Sequence, residues 1–217
     1  MRHVVLFVLL GGCAAENAAS RFLAAPTADS LSASAVIIDG SGPRRADEFL
    51  AALAAPTGSI EAVRNFARTT LRDGSLLFAR AGHDGTVDTV FHFAAQGMTG
   101  DLPSAERYQS AWNTRDVTSR LALLEQSWDE DGLYADPTVA VSGRAGLSDA
   151  IERYLQGAGT TTIDRNTPVQ VLPGGPFTFG WRISSTPPRD GFDVGMLENG
   201  RITWICGFFT ARSSQEQ

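Results

Sequence analysis

Residues 191–209 have the sequence GFDVGMLENGRITWICGFF, which contains the clearest structural signals in the chain. Asn199-Gly200 lies between two runs rich in apolar residues, and Asn-Gly is a strong signal for a two-residue β-hairpin turn. Alternate residues from Phe192 are apolar, whereas Asp193 shares the opposite face with glycines two residues to either side. The stretch therefore predicts a hairpin with one apolar face, and the glycines predict a hollow beside Asp193.

Upstream of this hairpin, helical spacing gives way to strand-like runs. Apolar residues at helical intervals predict three helices, centred near Tyr108, Leu124 and Ile151. Strands are predicted at 133–141 (interrupted by Asp136-Pro137), 169–172, 177–184, 191–197 and 202–209. Three helices followed by consecutive strands are typical of an α+β domain, and we place its limits at 104–212.

Residues 34–103 also have the pattern of an ordered region. A strand is predicted at 35–38, helices at 47–55 and 60–71, and strands at 76–79 and 87–93. The Asp84-Gly85 pair between the last two strands is a hairpin signal. We therefore predict a small α+β unit that precedes the second domain, and it resembles no family that we recognise.

The first 33 residues have the features of a targeting segment rather than of a folded domain. A short positive head is followed by seven apolar residues, too few to span a bilayer and typical of a signal peptide. Leu10-Gly11-Gly12-Cys13 follows and resembles a bacterial lipobox, which implies a signal segment over 1–13 and lipidation at Cys13. An ordinary secreted protein, cleaved near Ala14 or Ala15, is the alternative. Residues 14–33, rich in Ala and Ser, are interpreted as a flexible tether.

Composition and charge exclude several classes of function. The net charge is -6 and there is no basic run, so neither nucleic-acid binding nor an anionic-membrane patch is expected. No pair of histidines among His3, His83 and His92 has zinc-ligand spacing, and there is no Cys-x-x-Cys. We expect no metal site and no cofactor, and we expect membrane contact through the lipid anchor only.

A set of short motifs in 104–212 resembles the SnoaL-like branch of the nuclear-transport-factor-2-like superfamily. The matching residues are Tyr108, Asp116, Trp128-x-x-Asp131-Gly132, Asp136-Pro137, Gly143-Arg144, Gly180-Trp181, Gly191-x-Asp193 and Asn199-Gly200-Arg201-Ile202. The resemblance implies a curved antiparallel sheet wrapped by three helices into a cone with an apolar pocket. It also implies a bacterial envelope protein when combined with the lipobox, and Ala14 after Cys13 implies the outer membrane, facing the periplasm.

Three positions resemble the catalytic set of ketosteroid isomerase within that superfamily. The resemblance implies that Asp136 is a general base, and that Tyr108 and Asp193 donate hydrogen bonds to the oxygen where charge develops. Proton removal beside a carbonyl requires such a base and such donors. A carboxyl group in an apolar site can stay protonated and act as a donor.

Structural interpretations of the same residues stay open. Tyr108 has the pattern of a core tyrosine, Asp136 that of a turn residue before proline, and Asp193 that of a group bonding nearby backbone amides. Aromatic residues that should surround the cone are expected to line the pocket or support it: Trp128, Trp181 and Phe208. Cys206 is expected to be buried. The domain lacks a histidine for a histidine-dependent dehydratase and an arginine at position 191 for an epoxide-hydrolase set.

Three functions are compatible with these features. The first is an isomerase- or cyclase-type enzyme acting on an apolar carbonyl compound without a cofactor. The second is a non-catalytic module that binds an apolar small molecule or an envelope protein. The third is a scaffold or homodimer, because the sheet face of this superfamily commonly pairs. An open cavity with converging polar groups would favour the first, and a filled cone would favour the third.

Overall fold

The computed structural model describes residues 18–57 and 59–210, which form five α-helices and two β-sheets. The helices are α1 (Ala18–Ala24), α2 (Ala46–Ala52), α3 (Pro103–Asn113), α4 (Val117–Ser127) and α5 (Gly143–Ala158). The first six strands are β1 (Leu31–Asp39), β2 (Gly42–Pro43), β3 (Glu61–Val63), β4 (Phe66–Thr70), β5 (Leu76–Ala81) and β6 (Val87–Phe93). The others are β7 (Trp128–Ala135), β8 (Ala140–Ser142), β9 (Ile163–Arg165), β10 (Gln170–Val171), β11 (Pro176–Ile183), β12 (Arg189–Glu198) and β13 (Arg201–Phe209).

The strands divide between an N-terminal and a C-terminal sheet. The N-terminal sheet has the order β2-β1-β6-β5-β4-β3, and the C-terminal sheet has the order β10-β11-β12-β13-β7-β8, with β9 paired to β11. The predicted α+β class is confirmed. The C-terminal sheet is mixed rather than wholly antiparallel as predicted, because β7 and β13 run parallel. Strand β7 leaves the end of α4 directly and lies beside the last strand of the chain.

Three hydrophobic cores hold these elements in four layers. Helices α1 and α2 pack on one face of the N-terminal sheet, around Phe22 and Leu77. The other face of that sheet packs against the C-terminal sheet, around Phe78 and Phe208. Helices α3, α4 and α5 pack on the remaining face of the C-terminal sheet. The N-terminal sheet therefore covers one face of the C-terminal sheet and leaves the helix-covered side to form a cavity.

Two predictions for the N-terminal region are wrong. Residues 14–33 were predicted as a tether, but Ala18–Ala24 is a helix whose Phe22 and Leu23 side chains are fully buried. Residues 60–71 were predicted as a helix but form the hairpin of β3 and β4. The turn at Arg64 (φ 56°) places Val63 opposite Phe66, so these two buried residues are three positions apart in the chain, as on one face of a helix.

The local signals in the second half of the chain were more reliable. Asp116 caps α4 by accepting a hydrogen bond from the Ser119 amide at 2.8 Å. Asn199 and Gly200 both have positive φ, as a type I′ hairpin turn requires. Cys206 is fully buried, as expected. No helix in the described part of the chain is long and apolar enough to cross a membrane, and Cys13 lies outside that part.

Candidate active site

A cavity of about 440 Å³ lies between α3, α5 and the inner face of the C-terminal sheet. Most of its wall is apolar or aromatic, a composition typical of small-molecule sites. Its polar and aromatic lining includes Tyr108, Trp112, Tyr134, Asp136, Thr138, Arg153, Tyr154, Trp181, Arg189 and Asp193. The three residues predicted as a catalytic set, Tyr108, Asp136 and Asp193, therefore face one cavity.

Asp193 is held by two hydrogen-bond donors from side chains. The Trp181 indole donates to Asp193 Oδ1 at 2.8 Å, and the Tyr108 hydroxyl donates to Asp193 Oδ2 at 3.1 Å. Burial raises the pKa of Asp193 to about 7, and it outweighs the two hydrogen bonds, which lower the pKa. Burial, followed by the nearby Asp193 carboxylate, raises the pKa of Tyr108 well above its usual value, so the hydroxyl stays protonated at neutral pH.

Asp136 follows the end of β7 and has a different environment. Its Oδ1 accepts hydrogen bonds from the backbone amides of Thr138 and Val139 and from the Thr138 hydroxyl, at 2.6 to 2.8 Å. Within the described residues, its Oδ2 accepts one hydrogen bond, from the Tyr134 hydroxyl at 2.8 Å. Oδ1 therefore fixes the turn, whereas Oδ2 keeps a lone pair that can accept a proton.

Gly207 allows the two carboxyl groups to approach each other. A Cβ atom added at Gly207 would lie 3.1 Å from Asp193 Oδ1 and 3.5 Å from both Asp136 Cβ and the Tyr134 hydroxyl oxygen. Asp193 and Gly207 are also directly paired across β12 and β13. The absence of a side chain at position 207 thus brings two acids and a tyrosine around one point of the sheet.

The predicted hollow beside Asp193 is filled by aromatic rings. A Cβ at Gly191 would overlap the indole of Trp181, and a Cβ at Gly195 would lie 2.7 Å from the ring of Phe177. The glycines therefore make room for neighbouring rings rather than for a ligand. The missing side chain at Gly191 allows the Trp181 indole to lie across β12, where it donates a hydrogen bond to Asp193.

Of the three aromatic residues expected to line the pocket or support it, one lines the cavity, one lies behind its wall and one lies on the other face of the sheet. Trp181 lines the cavity. Trp128 is fully buried and stacks on Tyr108 with ring centroids 5.5 Å apart, so it supports the wall from behind. Phe208 was expected to line the pocket or support it as a binding residue, and this is wrong. It points to the other face of the sheet, where it contacts Phe78 of the N-terminal sheet at 6.2 Å between centroids.

Sequence reasoning missed several polar residues of the cavity. Tyr134 could have been found, because it lies two residues before Asp136 and so shares its face of the strand. The Asp-Pro pair indicates a turn but does not specify its hydrogen bonds, so the contact of Thr138 with Asp136 was not predicted. Arg153, Tyr154 and Arg189 come from α5 and from the start of β12, and only the tertiary packing brings them to the cavity.

Comparison with known proteins gives structural neighbours only. No protein-family model and no curated protein matches the chain. A candidate isomerase of the SnoaL-like family from Agrobacterium tumefaciens is 29% identical, with a TM-score of 0.46, over 50% of this chain and 95% of that chain. A candidate ketosteroid isomerase from Kribbella flavida is 16% identical (TM-score 0.43; 54% and 82%). An NTF2-like protein of unknown function from Burkholderia xenovorans is 15% identical (TM-score 0.39; 52% and 86%).

Proposed function

We propose that this protein binds an apolar carbonyl compound in its cavity and catalyses cofactor-independent proton transfer of the isomerase or cyclase type. The observation that carries the proposal is the pair of buried acids, Asp136 and Asp193, each hydrogen-bonded to a tyrosine and both facing one largely apolar cavity. Two carboxyl groups in different environments can take opposite roles, one as base and one as acid.

In the proposed reaction, Asp136 is the base. Its Oδ2 takes a proton from the carbon beside the carbonyl, and the electrons of the broken C–H bond move to the carbonyl oxygen. Tyr108 stabilises that oxygen by donating a hydrogen bond, while protonated Asp193 donates to the Tyr108 oxygen and so leaves the tyrosine proton free for the ligand. Asp136 then returns the proton to another carbon, and the double bond moves without any net change in oxidation state.

The Tyr108–Asp193 pair can supply a free donor when Asp193 is neutral. An ionised Asp193 takes the Tyr108 proton into the 3.1 Å hydrogen bond between them. A protonated Oδ2 can instead donate to the tyrosine oxygen, and the tyrosine proton then points to the ligand. Trp181 occupies Oδ1, which leaves Oδ2 as the oxygen that carries the proton.

Proton exchange is the direct test of this function. A naphthyl ketone incubated with the protein in deuterated water should exchange its α-protons, followed by NMR. Asp136→Asn should exchange at least about a hundredfold more slowly, because the base is removed. Asp131→Asn, an exposed position on β7, is the matched control and should exchange like the parent. If Asp136→Asn exchanges as fast as the parent, the catalytic proposal fails.

A binding-only function is the second candidate, and the turn at Asp136 favours it. Three donors hold Oδ1, so Asp136 stabilises this turn whether or not it also acts as a catalytic base. A protein that binds the ketone with no exchange above the Asp136→Asn background would have this function. A scaffold has less support, since the cavity is open and the N-terminal sheet already covers the sheet face through which a homodimer was expected.

We also propose that the site lies in a cone closed by the curved sheet, on an envelope lipoprotein anchored at Cys13. Only four residues separate Cys13 from the start of α1, so a lipid there would hold the folded region close to the membrane. Mass spectrometry of the mature N-terminus tests the anchor. An unmodified terminus at Ala14 or beyond would contradict it.

A further inference from the structure

The exposed end of the cavity carries two arginines that have no acidic partner among the described residues. Arg153 on α5 and Arg189 at the start of β12 both line the cavity, and both are exposed. Neither guanidinium forms a hydrogen bond or ion pair with another residue in the described part of the chain. By contrast, the neighbouring Arg182 is paired with Asp190 at 2.7 Å. Two cations are thus available where the cavity meets solvent.

A buried hydroxyl lies at the same end. The Tyr154 hydroxyl oxygen is buried, and no described residue hydrogen-bonds to it. A buried polar atom without a partner is costly in a folded protein and needs an explanation. Tyr154 and Arg189 also line an adjoining depression formed with residues 185–187, so the cavity continues outward past them. An acceptor group placed there would satisfy the hydroxyl.

Charge divides the cavity into two ends. The inner end holds Asp193 and also Asp136, which as the proposed base would repel an anion. Among the described lining residues, the charged or unpartnered groups of the outer end are the Arg153 and Arg189 guanidinium groups and the Tyr154 hydroxyl. Arginine is well suited to bind carboxylates because its planar guanidinium can donate two parallel hydrogen bonds. A ligand with a neutral inner end and an anionic outer end matches this distribution.

We propose that the ligand is an apolar keto acid, whose terminal carboxylate binds Arg153, Arg189 and the Tyr154 hydroxyl. The apolar body then fills the aromatic cavity, and the ketone reaches Asp136 and Tyr108. This proposal rests on the proposed function in placing the ligand in the same cavity. It requires only binding, so it can be tested separately from proton exchange.

The test compares a naphthyl keto acid with its primary amide, which has nearly the same shape but no charge. Equilibrium binding is measured by tryptophan fluorescence, since two of the four tryptophans line the cavity. The parent should bind the acid about tenfold more tightly than the amide. Arg153→Gln and Arg189→Gln should each weaken acid binding about three- to tenfold and leave amide binding unchanged.

Four further measurements separate the anion site from other effects. Arg72→Gln changes an exposed arginine of the N-terminal region, so acid binding should be unaffected. Raising salt from about 0.05 M to about 0.5 M should weaken binding of the acid but not of the amide. Tyr154→Phe should weaken acid binding by about threefold or more, because one hydrogen bond to the anion is lost. Asp136→Asn should keep the preference for the acid, even if it abolishes proton exchange.

Each outcome decides between the proposals. Equal binding of acid and amide by the parent, or acid binding unchanged in both arginine variants, overturns the anion site and leaves proton exchange to be judged on its own test. A retained acid preference together with no proton exchange overturns the catalytic proposal and supports the anion site. If neither compound binds, the cavity is not the ligand site and both proposals fall.

Discussion

Tyr108 donates a hydrogen bond to Asp193 at 3.1 Å, although 85 positions separate the two residues in the chain. The bond joins α3 to the centre of the C-terminal sheet, and both side chains are almost fully buried, with exposures of 2% and 4%. Because a buried hydrogen bond to a carboxylate favours the charged form, Tyr108 lowers the pKa of Asp193, which burial raises, and also holds the carboxyl group in position.

The pH dependence of proton exchange should report this relationship. If oxygen stabilisation requires neutral Asp193, activity is present below its pKa of about 7 and is lost as the pH rises through that value. Tyr108→Phe removes a hydrogen bond that lowers the pKa, so the alkaline limb should move to higher pH, while the rate falls about a hundred- to a thousandfold. Tyr134→Phe is the control, because Tyr134 bonds Asp136 and should leave the limb near pH 7. If the alkaline limb of the pH–rate profile stays at the same pH in Tyr108→Phe, a group other than Asp193 controls the loss of activity.

Stability should also depend on Asp193, with a defined sign. Burial raises its pKa from 3.8 to about 7, so between these values the folded protein holds a proton that the unfolded chain releases. The free energy of unfolding should therefore fall as the pH rises from about 4 to about 7, by about 4 kcal/mol at most. Urea titrations of Asp193→Asn should lack this component, whereas the exposed Asp149→Asn should keep it. Identical pH profiles for Asp193→Asn and the parent would contradict the raised pKa.

A methyl group at Gly207 should disturb the acids without breaking the fold. The added Cβ would lie 3.1 Å from Asp193 Oδ1, closer than most such contacts, so the carboxyl must move. A shift of this kind should lower the exchange rate about tenfold to a hundredfold. Gly157→Ala is the control, because nothing lies within 4 Å of its Cβ position and alanine favours the helix. Parent-like activity in Gly207→Ala would show that the separation of the acids does not matter.

The second half of the fold could be predicted from the sequence better than the first, because its main signals act between neighbouring residues. Asn199-Gly200 and the Asp116 cap are signals in which neighbouring residues specify the backbone themselves. The hairpin at Arg64 has no such signal, because a non-glycine residue occupies the positive-φ position and the buried pair Val63 and Phe66 has helical spacing. Strand β4 is buried on both faces between α1 and the C-terminal sheet, so it lacks the alternation that marks a surface strand.

The site could be predicted as a set of residues but not as a geometry. Tyr108, Asp136 and Asp193 were found through a resemblance, and the structure brings them to one cavity. The predicted orientation of the Phe208 side chain was wrong. No sequence motif indicates that a second sheet covers its side of β13, where an apolar side chain is buried without facing the cavity. The donor role of Trp181 depends on the register that sets it opposite Gly191, and register is a property of the assembled sheet.

Helix α1 should be essential for stability, whereas a flexible tether, as predicted for this segment, would contribute nothing. Phe22 and Leu23 are fully buried against the N-terminal sheet, in the same core as Phe49 and Leu77. Phe22→Ala would leave a cavity in that core and should lower the free energy of unfolding by about 3 to 5 kcal/mol. Val36→Ala, at a position on β1 that is 50% exposed, is the matched control and should change stability by about 0.5 kcal/mol or less. Chemical denaturation measures both variants. If Phe22→Ala is as stable as the parent, α1 does not contribute to the core, and residues 18–24 would act as the tether that their composition suggested.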